Sequence, residues 1–159
     1  MEYIIVSLKD NLRSYFEDDT ILCMSEDGKV PSGMAIEPQA NTCAICTQNQ
    51  WGSHITPNGK RAKACGEFAW LQLLAPDDTT NYQMRVSSTS LRALRDYDKS
   101  LKNRGCTVKD VVTKVITETT KTHDLLSFRV VRFLEDGELE NLIQLSKVQA
   151  PAFEIADGY

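Results

Sequence analysis

The sequence predicts a mainly β, α+β fold: a small antiparallel sheet with about two helices, arranged as a five-stranded, partly open barrel. Three observations predict it. Short runs rich in β-branched and aromatic residues recur between turn clusters, at 2–8, 68–75, 82–86, 111–120 and 125–134. Two segments, ending near Asn103 and Val148, carry apolar residues at helical spacing. The stretch between them and the first strand, about residues 17–66, is marked instead by glycine, proline and cysteine.

Taken in order, EYIIVSL (2–8) is a short apolar run that reads as a strand. Residues 17–42 contain Gly28, Pro31, Gly33 and Pro38, and this composition predicts sparse regular structure there. Loops of that length are uncommon in compact domains unless something pins them. FAWLQLLA (68–75) and YQMRV (82–86) predict a hairpin around PDDTTN. Ser87-Ser-Thr-Ser90 then offers N-caps for a helix whose buried face is Leu91, Leu94, Tyr97 and Leu101, with Gly105 as its stop. VVTKVITETT and LLSFRVVRFL predict a second hairpin, with Phe128, Val130 and Arg132 on one face. ELENLIQLSKV (138–148) predicts a closing helix. The expected organisation is one domain over residues 1–148, with an insertion at about 20–66 and an acidic tail at 149–159.

Composition narrows the function classes. The 159 residues are 42% hydrophobic and 25% charged, ordinary for a globular chain. No apolar run approaches the roughly 20 residues that cross a bilayer. MEYIIVSLKDNLRSYF lacks a basic and long apolar leader, so a cytoplasmic protein with no membrane partner is expected. The net charge of −4 conceals an asymmetry: residues 1–50 balance at −5, 51–133 at +6 and 134–159 at −5. A basic middle on an acidic protein suggests a polyanion site.

Five cysteines in a reducing compartment read as thiolates or buried thiols rather than disulfides. Cys43 and Cys46 have the spacing of a metal knuckle, and zinc prefers four such ligands in a closed structural site. Cys23 and Cys65 complete the set, separated from the knuckle by 19 and 18 residues. His54 in place of Cys23 is the competing arrangement. A redox dithiol is a third, but it expects a strand before the pair and a helix after it. Cys106, beside Gly105 and Val108, reads as a buried thiol.

Zinc ligation would fix the ends of the segment 43–65 and preorganise Trp51, Lys60, Arg61 and Lys63. Aromatic rings beside cations suit single-stranded nucleic acid, because bases stack on the ring while phosphates meet the charges. Arg85, Arg92 and Arg95 are further candidates for phosphate contacts, and Tyr82 for stacking; Trp70 reads as core. No catalytic constellation is present: His54 and His123 have no nucleophile pattern nearby, and no phosphate-binding glycine motif occurs. Asp18-Asp19 and Asp77-Asp78 are the acidic pairs that a magnesium-dependent nuclease would need.

SEDGKVPSG, NTCAIC, NQWGS and NGKRAKAC, in this order after Cys23, resemble a tailed-bacteriophage and prophage family of zinc-containing single-stranded DNA-binding proteins. SSTSLRALRDYDKSL, VVTKV and LSFRVVRFL extend the resemblance over most of residues 3–148. It implies an OB-like fold, zinc on Cys23, Cys43, Cys46 and Cys65, and a non-enzymatic role in phage DNA replication or recombination within the host cytoplasm. Thr47 departs from the family's proline, and FAWLQLL stands where relatives carry basic residues. Relatives also carry sequence upstream of EYIIVSL, so an open sheet edge and a homo-oligomer are expectations too. The acidic tail is the candidate recruiter of replication or recombination proteins. A protein-interaction adaptor braced by zinc is the alternative function.

Overall fold

The computed structural model describes residues 1–146. The chain divides into two compact units, residues 1–8 with 70–146, and residues 9–69. Its elements in chain order are β1 (Glu2–Glu17), β2 (Thr20–Ser25), β3 (His54–Ile55), β4 (Arg61–Ala62), β5 (Cys65–Leu74), β6 (Asn81–Ser87), α1 (Ser88–Asn103), β7 (Val111–Thr119), β8 (Asp124–Phe133) and α2 (Glu138–Ser146). The fold is α+β. The main sheet is antiparallel and six-stranded, in the order β6-β5-β1-β7-β8 with β2 added on β1, and it is not closed into a barrel. The expected five-stranded barrel is replaced by an open sheet in which the end strands β6 and β8 do not pair, and β2 adds a sixth strand that turn-rich composition hides. The acidic tail lies outside the described residues.

In the unit of residues 1–8 and 70–146, burial does most of the organising. Leu91, Leu94, Tyr97 and Leu101 of α1 are all buried, as helical spacing predicts. Tyr97 stacks with Phe128 at 6.0 Å, and its hydroxyl meets the buried Thr113 hydroxyl at 2.7 Å. Ser90 also accepts the Leu126 N–H at 2.9 Å, tying the start of α1 to β8. The neighbouring residue Val112 joins Ile4 and Leu74 under Leu134, Leu139, Leu142 and Ile143. Side chains alternate along a strand, so the two helices cover opposite faces of this unit's sheet.

Two details of the second hairpin correct the sequence reading. Val112 pairs with Arg132 and Thr113 with Val130, leaving Val131 as an extra residue in β8. Such a bulge breaks the alternation that groups Arg132 with Phe128 and Val130. Arg132 turns instead to Glu138 at the start of α2, through bonds of 2.6 and 3.0 Å.

In residues 9–69, β1 and β2 form a hairpin whose two turn residues are Asp18 and Asp19, with φ of 47° and 63°. Two consecutive left-handed residues suit a two-residue hairpin turn, and aspartate tolerates that conformation. Where composition predicts sparse regular structure over 17–42, β2 is therefore a strand; the forecast holds only beyond Ser25. That irregular segment is pinned along β2, with Ser32 N–H on the Met24 carbonyl and Glu37 N–H on the Leu22 carbonyl, both at 2.8 Å. Its first turn depends on Gly28, whose φ is +72° and where a Cβ would stand 2.9 Å from the Asn11 carbonyl oxygen.

The Arg132–Glu138 pair makes α2 sensitive to acid. The Arg132 guanidinium, with the Glu135 N–H, holds the Glu138 carboxyl down at about 2. Its contribution is complete above the ordinary glutamate range and is lost as pH falls from about 4.5 toward about 2. Amide protection in residues 139–143, relative to the intrinsic exchange rate, should fall across that interval, and Glu138→Gln should remove most of this pH dependence. A wild-type profile in the Gln variant would show that another carboxylate anchors α2.

Candidate metal centre and nucleic-acid interface

Cys23, Cys43, Cys46 and Cys65 line one cavity of about 20 Å³, entirely within residues 9–69. That is room for about one water-sized atom. Three separate pieces of chain bring the sulfurs there. Cys23 lies on β2 opposite Tyr15, Cys65 begins β5, Cys43 opens a short helical turn, and Cys46 links it to the next one. None of the four is in a disulfide.

The knuckle is held by its own backbone and by amide side chains. Cys46 N–H donates to the Cys43 carbonyl at 3.3 Å, and Asn49 N–H to the Cys46 carbonyl at 3.1 Å. Asn49 Nδ2 caps the Cys43 carbonyl at 2.8 Å, and Gln50 Nε2 reaches the Cys46 carbonyl at 3.2 Å. Cys43 N–H donates to the Lys29 carbonyl at 2.8 Å, attaching the knuckle to the irregular segment. Burial pushes the Cys65 thiol above its usual range, Arg13 opposes that shift, and Cys43 and Cys46 add to it.

The donor set fits a divalent thiolate-binding ion such as zinc: four sulfurs, no competing carboxylate in the cavity wall, and space for one atom. Among the described residues no three Cys, His, Asp or Glu side chains form a finished chelating group, so ligation would draw the sulfurs inward. His54 is exposed on β3, paired across to Ala62, and does not line the cavity. No strand leads directly into the Cys43–Cys46 pair, as a redox dithiol would require. Cys106 is half-buried and donates to the Leu101 carbonyl at 3.3 Å.

The binding candidates divide between the two units. In residues 9–69, Trp51 is 69% exposed, and the Lys63 ammonium stands 5.8 Å from its ring centroid. Lys63 also donates to Asn49 Oδ1 at 3.3 Å, which links this cation to the knuckle. The Arg61 guanidinium lies over Gly52, the residue after Trp51, and Lys60 is exposed at the end of the β3–β4 turn. Trp51, Arg61 and Lys63 therefore form a cluster at the base of one small hairpin.

In the other unit, Tyr82 is 42% exposed and meets Tyr3 edge-on at 5.5 Å. Arg92 is exposed, with Asp96 at 3.9 Å, whereas Arg85 and Arg95 are half-buried and already engaged. Trp70 is buried, as expected of core. The acidic pairs act in turns: Asp18-Asp19 as above, and Asp78 by accepting the Thr80 N–H at 2.9 Å. Sequence reasoning missed Arg13 and Tyr15, which line the cysteine cavity from β1. Extending the strand past Leu8 would have put the two on one strand face, but not beside the cysteines.

No protein-family model, curated protein or solved structure matches this chain.

Gly52 is the point where the aromatic and the cations are joined. Its φ is +87°, a Cβ would come within 3.0 Å of Arg61 Nη2, and its N–H donates to Ala62 at 3.0 Å. Gly52→Ala should cost about 1–2 kcal/mol locally. Amide exchange at residue 52 should quicken roughly tenfold while exchange in α1 stays constant. Unaltered protection at residue 52 would show that Arg61 yields at no cost.

Proposed function

We propose that this is a non-enzymatic, zinc-stabilised single-stranded DNA-binding protein that serves replication or recombination of phage DNA in the bacterial host cytoplasm. The observation that carries the reading is the exposed Trp51, flanked by Lys63 and Arg61 and tied through Asn49 to the four-cysteine cavity. Cys23, Cys43, Cys46 and Cys65 would hold the zinc, and the ion would supply a cross-link between segments far apart in sequence. With the loop already ordered, a base stacking on Trp51 would not bear the cost of folding it. Stacking contributes roughly 1–3 kcal/mol per base, and the cations meet the phosphates. The OB-like description belongs to the same proposal, with an open sheet in place of a closed barrel.

A second reading has its own observation. Met34, Ile36, Ile45 and Ile55 are all exposed in residues 9–69, which favours an adaptor whose zinc lobe presents an apolar docking surface.

Metal analysis of the purified protein should find about one zinc per chain. Cys43→Ser should lose it and loosen residues 9–69, while His54→Ala should keep it. Zinc loss in the His54 variant, or full retention after Cys23→Ser, would overturn the ligand set.

Oligonucleotide titration at two salt concentrations separates the functions. Single strands should bind better than duplex, with a log–log salt slope of roughly −0.7 per phosphate neutralised. Trp51→Ala should weaken binding at constant slope, and Lys60→Ala should reduce the slope. Absence of binding at low salt would leave the adaptor reading, and strand cleavage with magnesium would point to a nuclease.

A further inference from the structure

The four-cysteine cavity has one charged side chain in its wall, and it is Arg13. Arg13 stands on β1 two residues before Tyr15, the partner of Cys23 across the β1–β2 hairpin. Its Nη1 donates to the Cys65 carbonyl at 3.4 Å. Among the described residues no ion pair joins Arg13 to a carboxylate. This half-buried guanidinium lines a cavity whose other polar groups are neutral amides, hydroxyls and thiols, so it is the one cationic group beside the four sulfurs.

Four thiolates around one divalent ion leave two surplus negative charges, which an apolar cavity disfavours. A guanidinium is permanently charged, planar and rich in N–H donors, so it both offsets that charge and fixes a sulfur in direction. We propose that Arg13 is the positioning residue of the metal centre: its guanidinium anchors the Cys65 arm and stabilises the Cys65 thiolate once metal is bound. The inference rests on the zinc reading above. It assigns a role to β1, which supplies no ligand of its own. Outer-shell partners of this kind change metal affinity by about 10–100-fold when removed.

The test uses the full chain loaded with zinc or cobalt, competed against a metal chelator. Arg13→Gln should keep one metal per chain and a native circular dichroism spectrum, yet bind about 10–100-fold more weakly. Its cobalt–thiolate charge-transfer bands should also shift, which a purely structural arginine would not cause. Arg13→Lys keeps the charge without the planar fork and should fall between the two. Wild-type affinity and unshifted bands in Arg13→Gln would overturn the proposal while leaving the zinc centre standing. If Arg13→Gln does not fold, Arg13→Lys decides: intermediate affinity supports the role, and wild-type affinity overturns it. A wild-type protein that takes up no metal, like Cys43→Ser, would bring down the zinc reading and this inference together.

Discussion

The cavity lined by Cys23, Cys43, Cys46 and Cys65 is where the remote segments of residues 9–69 meet. The buried apolar residues of this unit are Leu12, Cys43, Cys46, Phe68 and Ala69, and two of those five are the cysteines themselves. A core so small does not offset the conformational entropy of ordering a segment of this length. The backbone contributes the β1–β2 hairpin, turn bonds, two two-residue strands and the pinning of the irregular segment along β2. Small domains in this position are held by disulfides or by metal. The four cysteines are free and line one small cavity, and the zinc proposed above would add the cross-link that this core lacks.

Residues 1–8 and 70–146 show the contrasting solution. Ile4, Ile5, Leu71, Leu73, Leu74, Leu94 and Leu101 are almost fully buried, and two helices cover the sheet. At about 25 cal/mol per Å² of apolar surface, burial alone is a sufficient organising force there. The polar groups inside are matched, as in the Tyr97–Thr113 bond, and no buried side-chain polar atom lacks a partner among the described residues. One unit is organised by burial, the other by the β1–β2 ladder, turn hydrogen bonds and a small core that includes two cysteines.

That difference bears on binding. A ring as exposed as Trp51 contributes little to core formation, and Ile55 on the hairpin beside it is exposed as well. Its order comes from Gly52, Asn49 and the knuckle. Lys63 is shared between the Trp51 ring and Asn49, so in the binding proposed above it would meet a phosphate from a fixed position rather than as a free tether.

Much of the burial-driven architecture was legible in the sequence. Strands at 68–75, 82–86, 111–120 and 125–134, the helix ending at Asn103 and its four buried residues follow from periodicity, because packing against one face imposes that periodicity. The knuckle was legible as well, since two cysteines at short spacing are a local signal. Three features were decided only by the tertiary structure. β2 and the extension of β1 to Glu17 arise from pairing across a two-aspartate turn, where each strand is weak alone. The bulge at Val131 exists only relative to the partner register of β7. Arg13 lies 52 residues before Cys65, and composition does not place a guanidinium beside a distant thiol. Local chemistry and period are written along the chain, whereas register and the surroundings of a cavity come into being only when remote segments meet.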